Sequence, residues 1–185
     1  MNRIKFEKMQ SSQLKQMSDF ARIIFKEHYD PIVGEETNAY MIDNYLSERG
    51  IFDEVQNGAE YFFVKLNGKE AGILAIDTKP DFMYLSKFYL AKEYRGNGYA
   101  REMMDYVEKR AIDCGLNKIR LNVNAGNIDT ISTYRHFGFQ IIEELQKESA
   151  INKKTIADLT SKVQTHETNS AKMRIAQEYN IPYEL

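Results

Sequence analysis

Two glycines separated by one residue, Gly96 and Gly98, stand just after Arg95 and just before a helical pattern. The N-terminus of a helix carries unpaired N–H groups and the positive end of the helix dipole. Glycine removes the Cβ atoms that would hold a ligand away, so those N–H groups can reach phosphate oxygens. Arg95 adds a fixed positive charge. The pattern suits a diphosphate, and a tight turn with a solvated arginine explains the same residues equally well.

Two common nucleotide-binding loops do not match this turn. A P-loop requires G-x-x-x-x-G-K-[ST], which the sequence lacks. A dinucleotide fingerprint requires a small residue three positions after its second glycine, but Gly98 is followed by Tyr99, Ala100 and Arg101. The residues alone therefore predict neither of these two folds.

The segments around the turn predict a sheet with helices on its faces. Two apolar runs flank Asn67-Gly68, which is a strong signal for a type I′ hairpin, and a third strand follows Pro80. From Gly98 apolar residues recur at helical spacing until Gly115, a natural helix stop. A strand, a short helix and another strand follow. This order is typical of an α/β or α+β domain.

Two further helices are predicted before the hairpin. The first begins near Ser11 or Ser12, either of which would serve as its N-cap. The second is expected to run from Thr37 to about Glu48 and to be closed by Gly50.

Composition excludes several broad classes of protein. The 185 residues are 43% hydrophobic and carry a net charge of -2, which fits one globular domain, with or without an appendage, and no nucleic-acid partner. No apolar run approaches the roughly 20 residues that span a membrane, and the first residues lack the apolar core of a signal peptide. Cys114 is the only cysteine. We interpret it as a packing residue of the helix before Gly115, and a cytoplasmic location is expected.

The three histidines do not form a metal-binding pattern. None of His28, His136 and His166 has a Cys, His or acidic neighbour at the spacing of metal ligands. No metal is therefore expected as a cofactor.

The segment from Phe88 to Phe139 resembles the core of the GCN5-related N-acetyltransferase (GNAT) superfamily. That superfamily carries R/Q-x-x-G-x-G/A, later N-x-x-A-x-x-x-Y, and then G-F. The matching positions are Arg95, Gly98, Ala100, Asn127, Tyr134, Gly138 and Phe139, with Thr130 where alanine is usual. The resemblance extends over roughly residues 1–145 and is greatest to the small bacterial group that includes PaiA-like acetyltransferases. It implies an α+β fold, an α/β/α sandwich with a mixed, mostly antiparallel central sheet, one splayed strand pair and helices on both faces.

The resemblance implies acetyl-CoA as the cosubstrate. The diphosphate of coenzyme A would lie on the backbone N–H groups of Arg95, Gly96, Asn97, Gly98, Tyr99 and Ala100. The pantetheine would lie along the preceding strand, at Phe88, Tyr89 and Leu90. In the superfamily this strand splays from the next one, here residues 118–124, and its unpaired backbone groups bond the pantetheine amides and stabilise charge on the thioester oxygen.

The resemblance also implies a proton donor for the departing thiolate. Tyr134 is the matching residue, and a phenol near pKa 10 is close enough to a thiol near pKa 8.5 for the transfer. Asn127 would either touch coenzyme A or brace the start of the short helix as an ordinary N-cap.

The sequence identifies no general base and no single acceptor. Relatives often place a glutamate on the third strand, where this chain has Tyr84 and Ser86. Glu35, Glu36 and Asp81 lie in predicted loops that could line the acceptor side, although a solvated charge explains each of them as well. Asp30, Glu35 and Glu36, in the acceptor segment from about position 28 to 45, would suit a cationic polyamine, and a solvated loop would have the same composition.

The last forty residues depart from the superfamily. We expect residues 1–145 to form the acetyltransferase domain and residues 146–185 to form an atypical tail, in which position 171 begins a short helix followed by an apolar end. A closing strand is not evident, although a short one near Thr155 to Leu159 is compatible with the residues. The open sheet edge left behind should be covered by the tail or by a partner chain, as in a homodimer.

Three functions are compatible with these observations. The first is an N-acetyltransferase that transfers acetyl from acetyl-CoA to a primary amine, in a small molecule or a peptide, by direct attack in a ternary complex. The second is a non-catalytic regulatory module that binds CoA or acyl-CoA on the same fold, which the missing acid on the third strand favours. The third is an interaction protein whose tail is the active part.

Overall fold

The computed structural model describes residues 4–124, 126–142 and 180–184. The chain forms two compact units, the first reaching Leu121 and the second running from Asn122 to Glu184. The elements of the first unit are β1 (Lys5–Lys8), a 3-10 helix (Ser11–Gln13), α1 (Leu14–Val33), α2 (Glu35–Tyr45), α3 (Glu48–Gln56), β2 (Ala59–Leu66), β3 (Lys69–Thr78), β4 (Met83–Leu90), a 3-10 helix (Lys92–Tyr94), α4 (Tyr99–Asp113) and the start of β5 (Ile119–Asn124). The second unit contains the end of β5, α5 (Ile128–His136), β6 (Gln140–Ile141) and β7 (Asn180–Glu184).

A mixed sheet organises the first unit. Its strands follow the order β1-β2-β3-β4-β5, in which the first three pairs are antiparallel and β4 pairs with β5 in parallel. The β2–β3 turn has positive φ at Asn67 (52°) and Gly68 (79°), as a type I′ hairpin requires. The predicted hairpin and the mostly antiparallel sheet are therefore confirmed.

Helices cover both faces of this sheet. Residues of α1, α2 and α3 pack on the face that carries Tyr61, Phe63 and Ile73. On the other face, the ring of Tyr106 in α4 lies 5.6 Å from that of Phe62, because side chains alternate along β2. The predicted sandwich of helices around a sheet is confirmed. None of the helices in the described ranges is long and apolar enough to cross a bilayer.

β4 contains a bulge near its middle. Ala75 of β3 lies opposite Lys87, whereas the next residue, Ile76, lies opposite Leu85. Ser86 is therefore an extra residue on β4, and its Oγ donates a 3.3 Å hydrogen bond to the carbonyl oxygen of Ala75. The bulge changes the direction of the strand in its second half.

The β4–β5 pair is short. Its ladder consists of Met83 opposite Ile119 and Tyr84 opposite Arg120. The remaining residues of β4 form no further ladder with β5, both strands being fully described. This is the splayed strand pair that the resemblance to the superfamily implied.

The N-terminal helices differ from their predicted bounds. Ser11 belongs to a 3-10 helix whose start is capped by a hydrogen bond from the Gln10 N–H to the Gln13 side chain, so α1 begins at Leu14, one or two residues later than an N-cap at Ser12 or Ser11 predicts. Gly50 does not close a helix, because it lies inside α3, whose N-cap Ser47 accepts a 3.1 Å hydrogen bond from the Gly50 N–H. A Cβ at Gly50 would collide with the carbonyl oxygen of Asn44, so this glycine is required for close packing.

The end of α4 explains why the interpretation of Cys114 was wrong. Gly115 has φ 74°, its N–H bonds the carbonyl oxygen of Ile112, and the Leu116 N–H bonds that of Ala111. This Schellman motif confirms Gly115 as the helix stop. Cys114 is the C-cap and is exposed, because the apolar stripe ends before it.

The tail contributes a strand at its end. β7 pairs antiparallel with β6, with Gln140 opposite Glu184 and Ile141 opposite Tyr183. The short helix expected from position 171 lies outside the described residues, and residues 180–184, at the end of the expected apolar tail, form a strand along an edge of β6. The short strand considered near Thr155 to Leu159 lies outside the described residues.

Gly72 holds β3 close to the end of β4. A Cβ at this position would collide with the carbonyl oxygen of Tyr89 and lie 3.0 Å from a methyl group of Leu90. We expect Gly72→Ala to lower the free energy of unfolding by about 1–3 kcal/mol, because the two strands must move apart. Urea denaturation measures the change, with Lys69→Ala on the same strand as a control. An unchanged midpoint for Gly72→Ala would show that the sheet tolerates the displacement.

Candidate active site

The glycine turn, residues 95–98, follows the 3-10 helix after β4 and leads directly into α4. Gly96 (φ 75°) and Gly98 (φ 83°, ψ -7°) both adopt backbone conformations that side chains other than glycine rarely adopt. Gly98 is the N-cap of α4, and its carbonyl oxygen accepts bonds from the N–H groups of Arg101 (3.0 Å) and Glu102 (3.3 Å). No side chain caps this helix start.

The backbone N–H groups of residues 96–100 are available to a ligand. Within the described part of the chain, none of the five donates a hydrogen bond to a protein acceptor. A Cβ built at Gly96 or Gly98 would meet no atom within 4 Å, so the approach is open. Several N–H groups left without a protein acceptor at the positive end of a helix form a site that fits the oxygens of a diphosphate.

Arg95 fastens this turn to the sheet and to α1. Its Nε donates a 2.8 Å hydrogen bond to the carbonyl oxygen of Leu90, and its guanidinium lies 3.8 Å from Glu27 Oε2. Asn97 Nδ2 donates in turn to the Arg95 carbonyl oxygen at 3.0 Å. These contacts of Arg95 stabilise the loop between β4 and α4. The guanidinium also provides a positive charge near the turn.

The predicted cofactor strand is the second half of β4. Phe88, Tyr89 and Leu90 are paired on one side with β3, and on the other side the ladder with β5 has already ended at Tyr84. Phe88 and Tyr89 are half-buried and Leu90 is buried. The rings of Tyr89 and Phe25 meet edge to face at 5.2 Å, which packs α1 against this end of β4.

The other two predicted site residues lie on α5, in the second unit. Asn127 is 2% exposed, and its side chain accepts a bond from the Thr130 N–H at 3.4 Å. It is therefore the N-cap of α5. Tyr134 is buried, with its ring 5.5 Å from that of Phe139. The Phe139 N–H bonds the Tyr134 carbonyl oxygen at 3.0 Å, and this contact fixes the last turn of the helix beside the G-F pair.

The acids considered for the acceptor side lie elsewhere than expected. Glu35 and Glu36 belong to the first turn of α2 rather than to a loop. Asp81 lines an open cavity of about 470 Å³ with Ile112 and Leu116, at the C-terminal end of α4. The glycine turn lies at the opposite end of that helix, about 22 Å away along its axis. Asp81 is therefore not next to the glycine turn.

A buried polar cluster was missed by the sequence analysis. Tyr61 Oη donates a 2.6 Å hydrogen bond to Glu54 Oε2, and Lys87 Nζ lies 3.0 Å from both carboxylate oxygens of Glu54. We call Glu54, Tyr61 and Lys87 the Glu54 cluster. The only sequence signal was a lysine inside the otherwise apolar second half of β4, because α3, which carries Glu54, had not been recognised.

Two tyrosines near Glu54, Tyr61 and Tyr84, have raised pKa values. Burial, and then the negative charge of Glu54, raise the pKa of Tyr61 well above its usual range. Burial also raises the pKa of Tyr84, with smaller contributions from Glu54 and Asp77. Both phenols therefore stay neutral at physiological pH, and Tyr61 remains a hydrogen-bond donor to the carboxylate.

Comparison with known proteins gives the relationships of the chain. The profile of the Acetyltransferase (GNAT) family matches residues 19–139. An uncharacterized N-acetyltransferase, YycN of Bacillus subtilis (strain 168), is 33% identical over 105 residues, which cover 51% of this chain and 67% of YycN.

Solved structures show the same fold. A PaiA N-acetyltransferase from Thermoplasma acidophilum, crystallised with coenzyme A, is similar with a TM-score of 0.71 at 18% identity, over 98% of this chain and 97% of that chain. The crystal structure of YycN gives a TM-score of 0.58 at 22% identity, over 76% of this chain and 94% of that chain. Since the family profile spans well over half of the sequence, this protein belongs to the GNAT family of acetyltransferases.

Proposed function

We propose that the protein is an acetyl-CoA-dependent N-acetyltransferase that acetylates a primary amine. The observation that carries this proposal is the set of five backbone N–H groups at residues 96–100, which have no protein acceptor within the described residues and lie at the open start of α4. Family membership supports coenzyme A as the diphosphate that these N–H groups would hold.

The Arg95 N–H bonds the carbonyl oxygen of Lys92 at 3.2 Å and so does not take the place predicted for it, whereas the other predicted site residues each have a distinct role. The N–H groups of residues 96–100 hold the diphosphate, and Phe88, Tyr89 and Leu90 orient the pantetheine along β4. When bound, acetyl-CoA supplies the activated acetyl group. Tyr134 holds a proton at its phenol oxygen for the departing sulfur. Asn127 keeps α5 in place through its cap.

The acceptor in this proposal is a cationic small molecule such as a polyamine, or a peptide amino group. Support comes from the acidic residues of α1 and α2, among them Glu35 and Glu36. Asp30 also has a structural role. Asn38 Nδ2 donates a 2.5 Å hydrogen bond to its carboxylate and so links α1 to α2.

Thiol release from acetyl-CoA tests the proposal directly. We would assay polyamines, amino acids, aminoglycosides and peptides with free amino groups, and identify products by mass. The expected result is amine-dependent release of coenzyme A, with a gain of one acetyl group on the acceptor. Tight binding of coenzyme A without turnover on any amine would instead support the non-catalytic module. The non-catalytic module was considered because β4 lacks an acidic residue, but Glu54 places a carboxylate against that strand.

We further propose that residues 1–145 are the catalytic domain and residues 146–185 a tail. Truncation after Leu145 removes β7, which pairs with β6, so we expect a lower Tm with acetyl-CoA binding retained. Loss of all binding after truncation would make the tail part of the domain. A cytoplasmic location and a homodimer stay predictions, and sedimentation of both lengths tests the dimer.

A further inference from the structure

The Glu54 cluster is not explained by stability alone. Lys87 is 8% exposed and Tyr61 1%, so an ion pair and a phenol are placed against the apolar core of α1, α2 and α3. Withdrawing such a pair from water costs several kcal/mol, and apolar residues of similar volume are often as stable or more stable. A buried charged cluster beside a proposed cofactor strand is therefore a candidate for function.

The cluster lies over a specific part of the sheet. Tyr61, Ala75 and Lys87 are directly opposite one another on β2, β3 and β4, so their side chains share the face covered by α3. Lys87 follows the bulge at Ser86 and precedes Phe88. Glu54 therefore sits against β4 between its short ladder with β5 and the residues assigned to the pantetheine.

The negative charge of Glu54 also acts on Tyr84, in the first half of β4. It contributes to the raised pKa of Tyr84, the last residue of β4 that pairs with β5. The second half of β4 carries no acidic side chain of its own. The carboxylate that relatives often place on this strand is thus supplied here from a helix that packs on it.

We propose that Glu54 is the general base that accepts a proton from the acceptor amine, with Lys87 and Tyr61 as positioning residues. The inference rests on the proposed acetyltransferase function. Both partners can only donate to Glu54, since an ammonium group has no lone pair and Tyr61 uses its proton. Their three contacts leave acceptor capacity on the carboxylate, and 28% of the Glu54 side chain is exposed.

The proton balance is complete. The acceptor ammonium gives one proton to Glu54 and becomes a neutral nucleophile, and Glu54 later releases that proton to water through its exposed side. As the C–N bond forms, the C–S bond breaks, and the sulfur takes the phenol proton of Tyr134. The second proton lost by the nitrogen restores the phenol. The products are an amide, a thiol and one proton in solution.

The double variant Glu54→Gln with Lys87→Met tests the base. Removing Glu54 alone would leave a buried unpaired lysine and could unfold the protein, whereas removing both charges keeps the core neutral. We expect kcat/KM to fall about 100-fold at pH 7, while the Kd for acetyl-CoA and the Tm stay close to those of the wild type. A kcat/KM within about threefold of the wild type would overturn the assignment.

Lys87→Met alone separates a positioning role from a purely structural one. Without the ammonium group 3.0 Å from both of its oxygens, the carboxylate of Glu54 loses two of the three contacts that fix its position. We therefore expect kcat to fall, while the KM for the acceptor and the Kd for acetyl-CoA stay close to those of the wild type. Tyr61 still donates to the carboxylate, so part of the activity should remain. A wild-type kcat in a folded variant would contradict the role given to Lys87.

Glu60→Gln is the matched control. Its side chain is 24% exposed, close to that of Glu54, and it is also paired with two cations, Lys8 and Arg110. It precedes Tyr61 on β2 and so faces away from the cluster. We expect Glu60→Gln to keep the wild-type kcat/KM. If it loses as much kcat/KM as the Glu54→Gln, Lys87→Met double variant, the effect belongs to any half-buried, paired carboxylate and not to Glu54 in particular. If the wild type acetylates no amine at all, the proposed function fails, and not the choice of base.

Discussion

Replacing Tyr134 with phenylalanine should lower kcat about 100-fold and leave the Kd for acetyl-CoA within about twofold of the wild type. The substitution removes only the phenol oxygen, and the ring that packs 5.5 Å from Phe139 remains. Without a proton donor the sulfur must leave as a thiolate, which raises the barrier of the chemical step. Steady-state kinetics and calorimetric titration with acetyl-CoA measure the two quantities separately.

Tyr106→Phe is a suitable control for that experiment. Its ring stacks on Phe6 with centroids 4.0 Å apart, and it has no proposed role in the reaction. Loss of its phenol should leave kcat unchanged. If Tyr134→Phe also turns over at the wild-type rate, Tyr134 is not the proton donor. A parallel rise in the Kd would instead make it a binding residue.

The second large effect is expected for Gly98→Val, which should raise the Kd for coenzyme A at least about 10-fold. The side chain would project into the open approach to the N–H groups of residues 96–100, and two lost charge-assisted hydrogen bonds are enough for this change. The new residue must also adopt φ 83°, where a β-branched side chain is strained by about 1–2 kcal/mol.

Gly115→Val separates the two consequences. Gly115 lies at the other end of α4 with φ 74°, and a Cβ there also meets no atom within 4 Å. Both variants should therefore lose a similar amount of stability, but only Gly98→Val should lose affinity. Equal Kd values for the two variants would show that backbone strain, and not the blocked approach, explains any loss.

Local signals made much of the fold predictable from the sequence. Asn67-Gly68 and Gly115 each determine a backbone conformation that only a few residue types allow, so the hairpin and the end of α4 were assigned correctly. The glycine turn was recognised for the same reason. These features depend on residues adjacent in the chain and require no knowledge of packing.

What the sequence did not predict depends on contacts between distant segments. Gly50 has the appearance of a helix stop, but it is needed where α3 approaches the carbonyl oxygen of Asn44. With α3 missed, Glu54 had no predicted place against β4. The short polar strand β1 and the final strand β7 have no strong apolar alternation, and each exists through its pairing with another strand.

Amide NMR with coenzyme A tests the central claim most directly. In ¹⁵N–¹H correlation spectra, saturating coenzyme A should shift the amide signals of residues 96–100 most strongly, those of Gly96 and Gly98 among them. The signal of Gly115, at the far end of α4, should stay in place. Saturation that leaves Gly96 and Gly98 unmoved, while signals elsewhere shift, would show that this turn does not hold the diphosphate.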